Sequence, residues 1–201
     1  MDVWKVPETR QQGWYLALMA PNVKGEQYTW LDPSRLYCNS QALQDCVNDL
    51  LKPFQNDDID LVAGIDAMGF ILGAAVAKQL EKGFLAIRKE GHLCIKTDVQ
   101  DYTDYSGQRK ALEVRKDVIK PGTRILLVDQ WIETGGSMEA AIKLVERQGG
   151  IVIVWASPQQ IAKNLAHMQQ LSMFEVKWVG PQNCEECCGS ATEKKRKAYF
   201  D

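Results

Sequence analysis

The sequence predicts an α/β fold built on an open, mostly parallel sheet with helices on both faces. Short runs that are apolar on both faces recur at 60–65, 84–87, 124–128 and 151–155, as in strands covered from both sides. Segments with helical spacing of apolar residues lie between them, so strand and helix alternate along the chain. No internal repeat interrupts this order.

Residues 1–30 follow neither period and carry Trp4, Trp14 and Trp30. Asn39 or Ser40 can cap a helix in which Leu43, Cys46, Val47, Leu50 and Leu51 fall at i, i+3, i+4, i+7 and i+8. Pro53 stops it. A buried strand over 60–65 leads to an Ala-rich helix over 70–80, ended by Gly83, and to a second buried strand over 84–87. Residues 94–109 hold Asp98, Asp101, Tyr102, Asp104, Tyr105, Ser106 and Gly107 with little apolar content, and read as a long loop of the kind that forms lids. Leu112 and Val114 alternate with charged neighbours, as in a half-exposed strand. After the Pro121-Gly122 turn, a buried strand over 124–128 meets a Gly-rich segment that opens a helix over 137–147, and Gly149-Gly150 ends it. A buried strand over 151–155, a helix over 159–168 opened by Pro158, and a last strand over 174–179 complete the pattern.

A chain of 201 residues suits one domain with appendages and needs no disulfide staples. Its 45% hydrophobic and 25% charged content excludes collagen-like, coiled-coil and wholly disordered classes. Lys plus Arg number 24 against 26 Asp plus Glu, so a general nucleic-acid coat protein is not expected. No run approaches the ~18 apolar residues of a membrane span. Met1-Asp2-Val3-Trp4-Lys5 does not resemble a signal peptide. The six cysteines therefore read as reduced thiols, and the cytosol is the expected location.

The most informative stretch runs from Ile125 to Ser137. An apolar strand delivers Asp129, and Thr134-Gly135-Gly136-Ser137 then opens a helix. Two glycines let backbone N–H groups close on an anion, and the helix N-terminus favours negative charge. Thr134 and Ser137 add hydroxyl donors, so the segment reads as a cup for a monophosphate. It is not a Walker loop, because no Gly-Lys-Ser/Thr follows. Asp129, just upstream, could accept hydrogen bonds from sugar hydroxyls, so the ligand expected is a ribose 5-phosphate. The plainer alternative is a Gly-rich turn before a helix.

These thirteen residues resemble the phosphoribosyl pyrophosphate (PRPP) motif of the type I phosphoribosyltransferases: apolar strand, two acids, variable residues, then Thr-Gly-Gly-Thr/Ser. Within that superfamily the likeness is greatest to the adenine phosphoribosyltransferases and extends from about Tyr28 to Val179. It includes Asp32-Pro33-Ser34, the run Ala63-Gly64-Ile65-Asp66-Ala67-Met68-Gly69-Phe70, and Ala86-Ile87-Arg88-Lys89-Glu90-Gly91. It also includes Leu112-Glu113-Val114-Arg115-Lys116-Asp117.

The resemblance implies a type I phosphoribosyltransferase-like core over 39–180, an N-terminal hood on the base side over 1–38, and a Cys-rich then basic tail over 181–201. It implies that Thr134, Gly135, Gly136 and Ser137 hold the 5-phosphate, and that Asp129 and Gln130 meet the ribose. Asp66 and Ala67 would present backbone N–H groups to the pyrophosphate. Arg88 and Lys89 would help to hold it, one of them across a homodimer. Loop 94–109, with Tyr105, would close over the site. Trp30 and Trp131 align with the apolar residues that sandwich the base, although either could instead be core or interface. Mg²⁺ would arrive on PRPP itself. The implied reaction transfers phosphoribose to a purine, giving AMP and pyrophosphate. A PRPP- or nucleotide-binding regulator without turnover is the alternative.

The sequence departs from the family pattern at three positions. Gln130 replaces the second acid, Met68 stands where the family usually has Arg, and Glu133 stands where the adenine enzymes carry a small residue. Enzymes for hypoxanthine and guanine have an acid at that third position, so Glu133 could exchange a proton with the purine. The plainer alternative is a solvated carboxylate at a helix start. No lysine around Val154-Trp155-Ala156 would read a 6-oxo group, which favours adenine.

In the tail, Cys184, Cys187 and Cys188 lack the fourth ligand of a closed zinc site, and no histidine is near in sequence. Lys194-Lys195-Arg196-Lys197 could be a nuclear address, but Glu185, Glu186, Glu193 and Asp201 balance it.

Overall fold

A computed structural model describes residues 6–21, 31–104, 106–132 and 134–156. They fall into two compact units divided after Asn56.

In the first unit, a 3₁₀ turn over Trp14–Leu18 is followed by β1 (Ala20–Pro21) and β2 (Leu31–Asp32), which pair antiparallel, then by α1 (Ser34–Tyr37) and α2 (Ser40–Leu51). The Asn39 side chain caps α2 by accepting from the Ala42 N–H at 2.8 Å, and satisfies a donor that has no partner within the helix. Ala42, Cys46, Val47, Leu50 and Leu51 are buried. Asp49 is buried with them and accepts from the Gly13 N–H at 3.1 Å and the Tyr15 hydroxyl at 3.0 Å, while Lys52 Nζ lies 2.7 Å away. Burial pushes the Cys46 thiol up to about 12, helped by the Asp49 charge. The helix at 39–51, placed by sequence with the core, clusters with the N-terminal residues.

The second unit contains β3 (Leu61–Ile65), α3 (Gly69–Gln79), β4 (Gly83–Lys89), β5 (Thr97–Thr103), β6 (Arg109–Arg115), β7 (Arg124–Val128), α4 (Gly136–Arg147) and β8 (Ile151–Ala156). Among the described residues, the six strands form one sheet in the order β5-β6-β4-β3-β7-β8. The four strands β4, β3, β7 and β8 are parallel, and β6 and β5 add an antiparallel edge. Asp60 fixes the start of the β3–β7 pair by accepting from the backbone and guanidinium of Arg124 at 2.8–2.9 Å.

Helices cover both faces, as the apolar runs predict. Ala63, Ile65, Leu85, Ile87 and Leu127 pack with Met138, Ala141, Leu144 and Val145 of α4 in one core. On the opposite face α3 comes very close to β3. A Cβ on Gly64 would fall 2.5 Å from the Gly69 carbonyl, so glycine is required there. No helix among the described residues is long and apolar enough to cross a membrane.

Three expectations need correction. Residues 94–109 are not a loop: most of them form β5 and the turn into β6, joined along a seven-pair antiparallel register. The partly buried positions of β5 are Thr97, Asp98, Gln100 and Tyr102, so no apolar alternation announces the strand. Its inner face meets α4, where Arg147 donates to the Val99 carbonyl at 2.9 Å and to Gln100 Oε1. Second, β6 is not half-exposed, because Leu112, Glu113 and Val114 are all buried. Third, the runs at 84–87 and 151–155 are not buried throughout, since Phe84 is 37% and Ile151 44% exposed. The segments expected over 159–168 and 174–179, the thiols Cys184 to Cys188 and the basic Lys194 to Lys197 lie outside the described residues.

Candidate active site

Parallel pairing of β4, β3 and β7 brings three strand ends side by side, with Ile65 opposite Ile87 and Gly64 opposite Val128. Chain order reverses between β3 and β7, and ligands of open α/β sheets bind at such a switch point. Asp66 follows β3, Arg88 and Lys89 end β4, and Asp129 follows β7. The N-terminus of α3 closes on the same spot. A Cβ on Gly69 would lie 2.8 Å from the Val128 carbonyl and 3.3 Å from Asp129 Oδ1.

The Asp66–Ala67 peptide is cis. Arg88 Nε lies 3.3 Å from Asp66 Oδ2, and the Arg88 guanidinium also donates to the His92 carbonyl at 3.1 Å. The Asp66 N–H is itself bonded to the Ile87 carbonyl at 2.9 Å. The expectation that it would serve pyrophosphate is therefore corrected. Met68 sits half-buried in this turn.

Beyond β7, Gly135 adopts the left-handed conformation with φ 83°, which a side chain would strain. α4 begins at Gly136, and Gly135 accepts its first helical bond from the Glu139 N–H at 2.8 Å. Thr134 is exposed, and Ser137 is half-buried in the first turn. The segment expected to form the phosphate cup therefore lies at a helix N-terminus. Trp131 is half-buried next to Gln130.

Asp129 is half-buried, and its Oδ1 accepts from the Gln130 N–H at 2.7 Å. Loss of hydration pushes its carboxyl up to about 7, against the pull of that hydrogen bond. Gln130 is only 8% exposed, so the position of the missing second acid is an interior one.

Sequence reasoning missed Tyr102. Its ring packs against the core, and Cδ2 lies 3.6 Å from where a Cβ on Gly136 would stand. Burial raises the phenol's pKa. Lys110 opposes the rise, and Asp104, Asp129 and Asp66 add to it. Tyr102 thus feels both carboxylates of the site, and its Tyr-Thr-Asp-Tyr context gave a signal only for a loop. Of the predicted residues, Asp66, Ala67, Arg88, Lys89, Asp129, Gln130, Trp131, Thr134, Gly135, Gly136 and Ser137 fall at or beside these strand ends. Trp30, Tyr105 and Glu133 lie outside the described residues.

A helix start opened by two glycines, the Asp129 carboxylate and the turn after β3 thus meet at the ends of neighbouring strands. Residues 37–181 match the family model of the phosphoribosyl transferase domain. The adenine phosphoribosyltransferase of Jannaschia sp. (strain CCS1) is 41% identical over 133 residues, 66% of this chain and 74% of that protein. The adenine phosphoribosyltransferase of Cupriavidus metallidurans is 38% identical over 149 residues, covering 72% and 78%. The crystal structure of the enzyme from Rhodothermus marinus superimposes with a TM-score of 0.65 at 35% identity, covering 71% of this chain and 84% of that one. The Giardia lamblia enzyme, complexed with 9-deazaadenine, gives 0.66 at 29% identity, covering 73% and 82%. The chain belongs to the phosphoribosyl transferase family, and in sequence and fold it is like the adenine phosphoribosyltransferases.

Proposed function

We propose that the protein transfers the 5-phosphoribosyl group of PRPP to N9 of adenine, releasing pyrophosphate and the N9 proton and forming AMP. The observation that carries this reading is the pairing of Asp129 with the Gly135–Gly136 cup across one strand end and one helix start. The phosphate is held at the α4 N-terminus, and the ribose hydroxyls reach Asp129. The C1–pyrophosphate bond then breaks at the turn after β3, near Arg88. Such a site accelerates the reaction mainly by positioning and charge. The adenine relatives support an enzyme over a regulator.

Mg²⁺ belongs on the substrate in this reading and neutralises pyrophosphate charge when bound. The Asp66 carboxylate, 3.3 Å from Arg88 Nε, stands at the turn this reading gives to pyrophosphate. Trp131 stacks on the base, and Glu133 exchanges the purine proton. The protein works in the cytosol as a purine-salvage homodimer. Light scattering should return twice the chain mass.

Incubation with labelled PRPP, Mg²⁺ and a panel of adenine, hypoxanthine and guanine tests the reading. Labelled AMP from adenine alone is expected. PRPP binding without turnover for any base would transfer the protein to the regulator class.

A further inference from the structure

We propose that Glu113 is a positioning residue for the pyrophosphate side of the site, acting through Arg88. The inference rests on the PRPP reading above. Glu113 is 3% exposed and sits on β6 directly opposite Arg88 of β4. A buried carboxylate is unfavourable unless donors surround it. Here Oε1 accepts from the N–H groups of His92 and Leu93, both at 2.7 Å. Gly91 N–H and the Thr97 hydroxyl add further hydrogen bonds. Burial alone would raise the carboxyl's pKa, but these donors outweigh it and hold the group below its ordinary value.

All these donors come from one segment, the connection from β4 to the first residue of β5. Apart from half-buried Leu93, its residues 90–96 are exposed. A connection with so few apolar contacts has little else to order it. Glu113 holds it from beneath. The consequence reaches the site through His92. The His92 carbonyl accepts from Arg88 Nη1 at 3.1 Å, and His92 Nδ1 lies 3.0 Å from the Lys89 carbonyl. Arg88 Nε in turn lies 3.3 Å from Asp66. A continuous path therefore runs from Glu113 through His92 and Arg88 to the turn that follows β3. The half-exposed Arg88 side chain would otherwise sample many rotamers. Fixing its guanidinium in advance lowers the ordering cost when pyrophosphate binds.

The experiment measures KM for PRPP and for adenine, together with calorimetric binding of inorganic pyrophosphate and of PRPP, on the full chain. Glu113→Gln keeps the shape and one acceptor but loses the charge. It should raise KM for PRPP and Kd for pyrophosphate about fivefold, with KM for adenine changed less than twofold. In an Arg88→Met background the same substitution should add less than twofold, because two residues acting through one contact are not additive. Should Glu113→Gln fail to fold, Thr97→Val removes one donor with the carboxylate retained, and should show the same split on a smaller scale. Equal changes in both KM values would overturn the proposal, as would an undiminished effect in the Arg88→Met background. The PRPP reading would survive either result. Wild-type protein that binds neither PRPP nor pyrophosphate would overturn that reading and this proposal together.

Discussion

The carbonyl of Thr103 occupies the space a side chain on Gly136 would need, well inside van der Waals contact. The end of β5 therefore rests on the first residue of α4, within the proposed phosphate cup. Gly136 has an ordinary negative φ, so glycine is needed there for close approach and not for backbone freedom. Gly135 is the reverse, with φ 83° and nothing within 4 Å of an added Cβ.

This contrast makes a prediction. Gly136→Ala should push the end of β5 away and cost about 1–3 kcal/mol. Gly135→Ala should cost about 1–2 kcal/mol through backbone strain alone. Hydrogen exchange separates them. Amides of Thr97–Thr103 should exchange faster in Gly136→Ala and at the wild-type rate in Gly135→Ala.

The α3–sheet contact gives a second. A Cβ on Gly64 meets the Gly69 carbonyl at 2.5 Å, and Gly69, itself packed against Val128 and Asp129, has less room to yield than the edge strand β5. A Cβ on Gly73 meets the Phe84 ring at 2.7 Å, and that ring is 37% exposed. Gly64→Ala should therefore cost more than about 3 kcal/mol, and Gly73→Ala about 1. Phe84→Leu shortens the obstructing side chain, so it should recover most of the Gly73→Ala loss and little of the Gly64→Ala loss. Urea denaturation of the single and double variants would reveal the difference, and equal recovery would contradict it.

The parts legible in the sequence are those whose cause is local. The Asn39 cap lies three residues from its acceptor's partner, Ala42. The strand, acid, paired glycines and helix start of the PRPP motif follow one another within thirteen residues. β5 was illegible because its inward positions are polar and its partners, β6 and Arg147, are supplied by distant chain. Glu113 looked like a surface charge because its donors come from a loop twenty residues away. The Arg88–Asp66 pair spans twenty-two residues and needs the parallel β3–β4 register before it exists.

Gln130 supports a third prediction. Gln130→Glu restores the second acid and should strengthen the ribose contact, raising kcat/KM for PRPP about tenfold. The position is 8% exposed and adjoins Asp129, whose carboxyl is already pushed up to about 7. A second buried carboxylate there is costly when ionised. The variant should lose about 5 °C in Tm at pH 8 and under 2 °C at pH 5, where both acids hold protons. An unchanged Tm at both pH values would show that the new carboxylate is hydrated.

Asp129 itself gives opposite pH trends for stability and for binding. Its ordinary value is 3.8, and burial raises it to about 7 in the folded, ligand-free protein. Between those values the folded chain holds a proton that the unfolded chain has released. Its contribution to stability is therefore largest below the unfolded value, falls as pH rises toward 7, and is constant above. Binding runs the other way, because the ionised carboxylate is the stronger acceptor for a ribose hydroxyl. Calorimetry at pH 6 should find PRPP bound up to about tenfold more weakly than at pH 8, since roughly one Asp129 in ten is ionised there. In Asp129→Asn the pH 6 to pH 8 difference should shrink to that of PRPP's own phosphates. Melting curves across the same range should lose the downward slope that wild type shows toward pH 7. Parallel binding profiles for the two proteins would remove Asp129 from the ribose site.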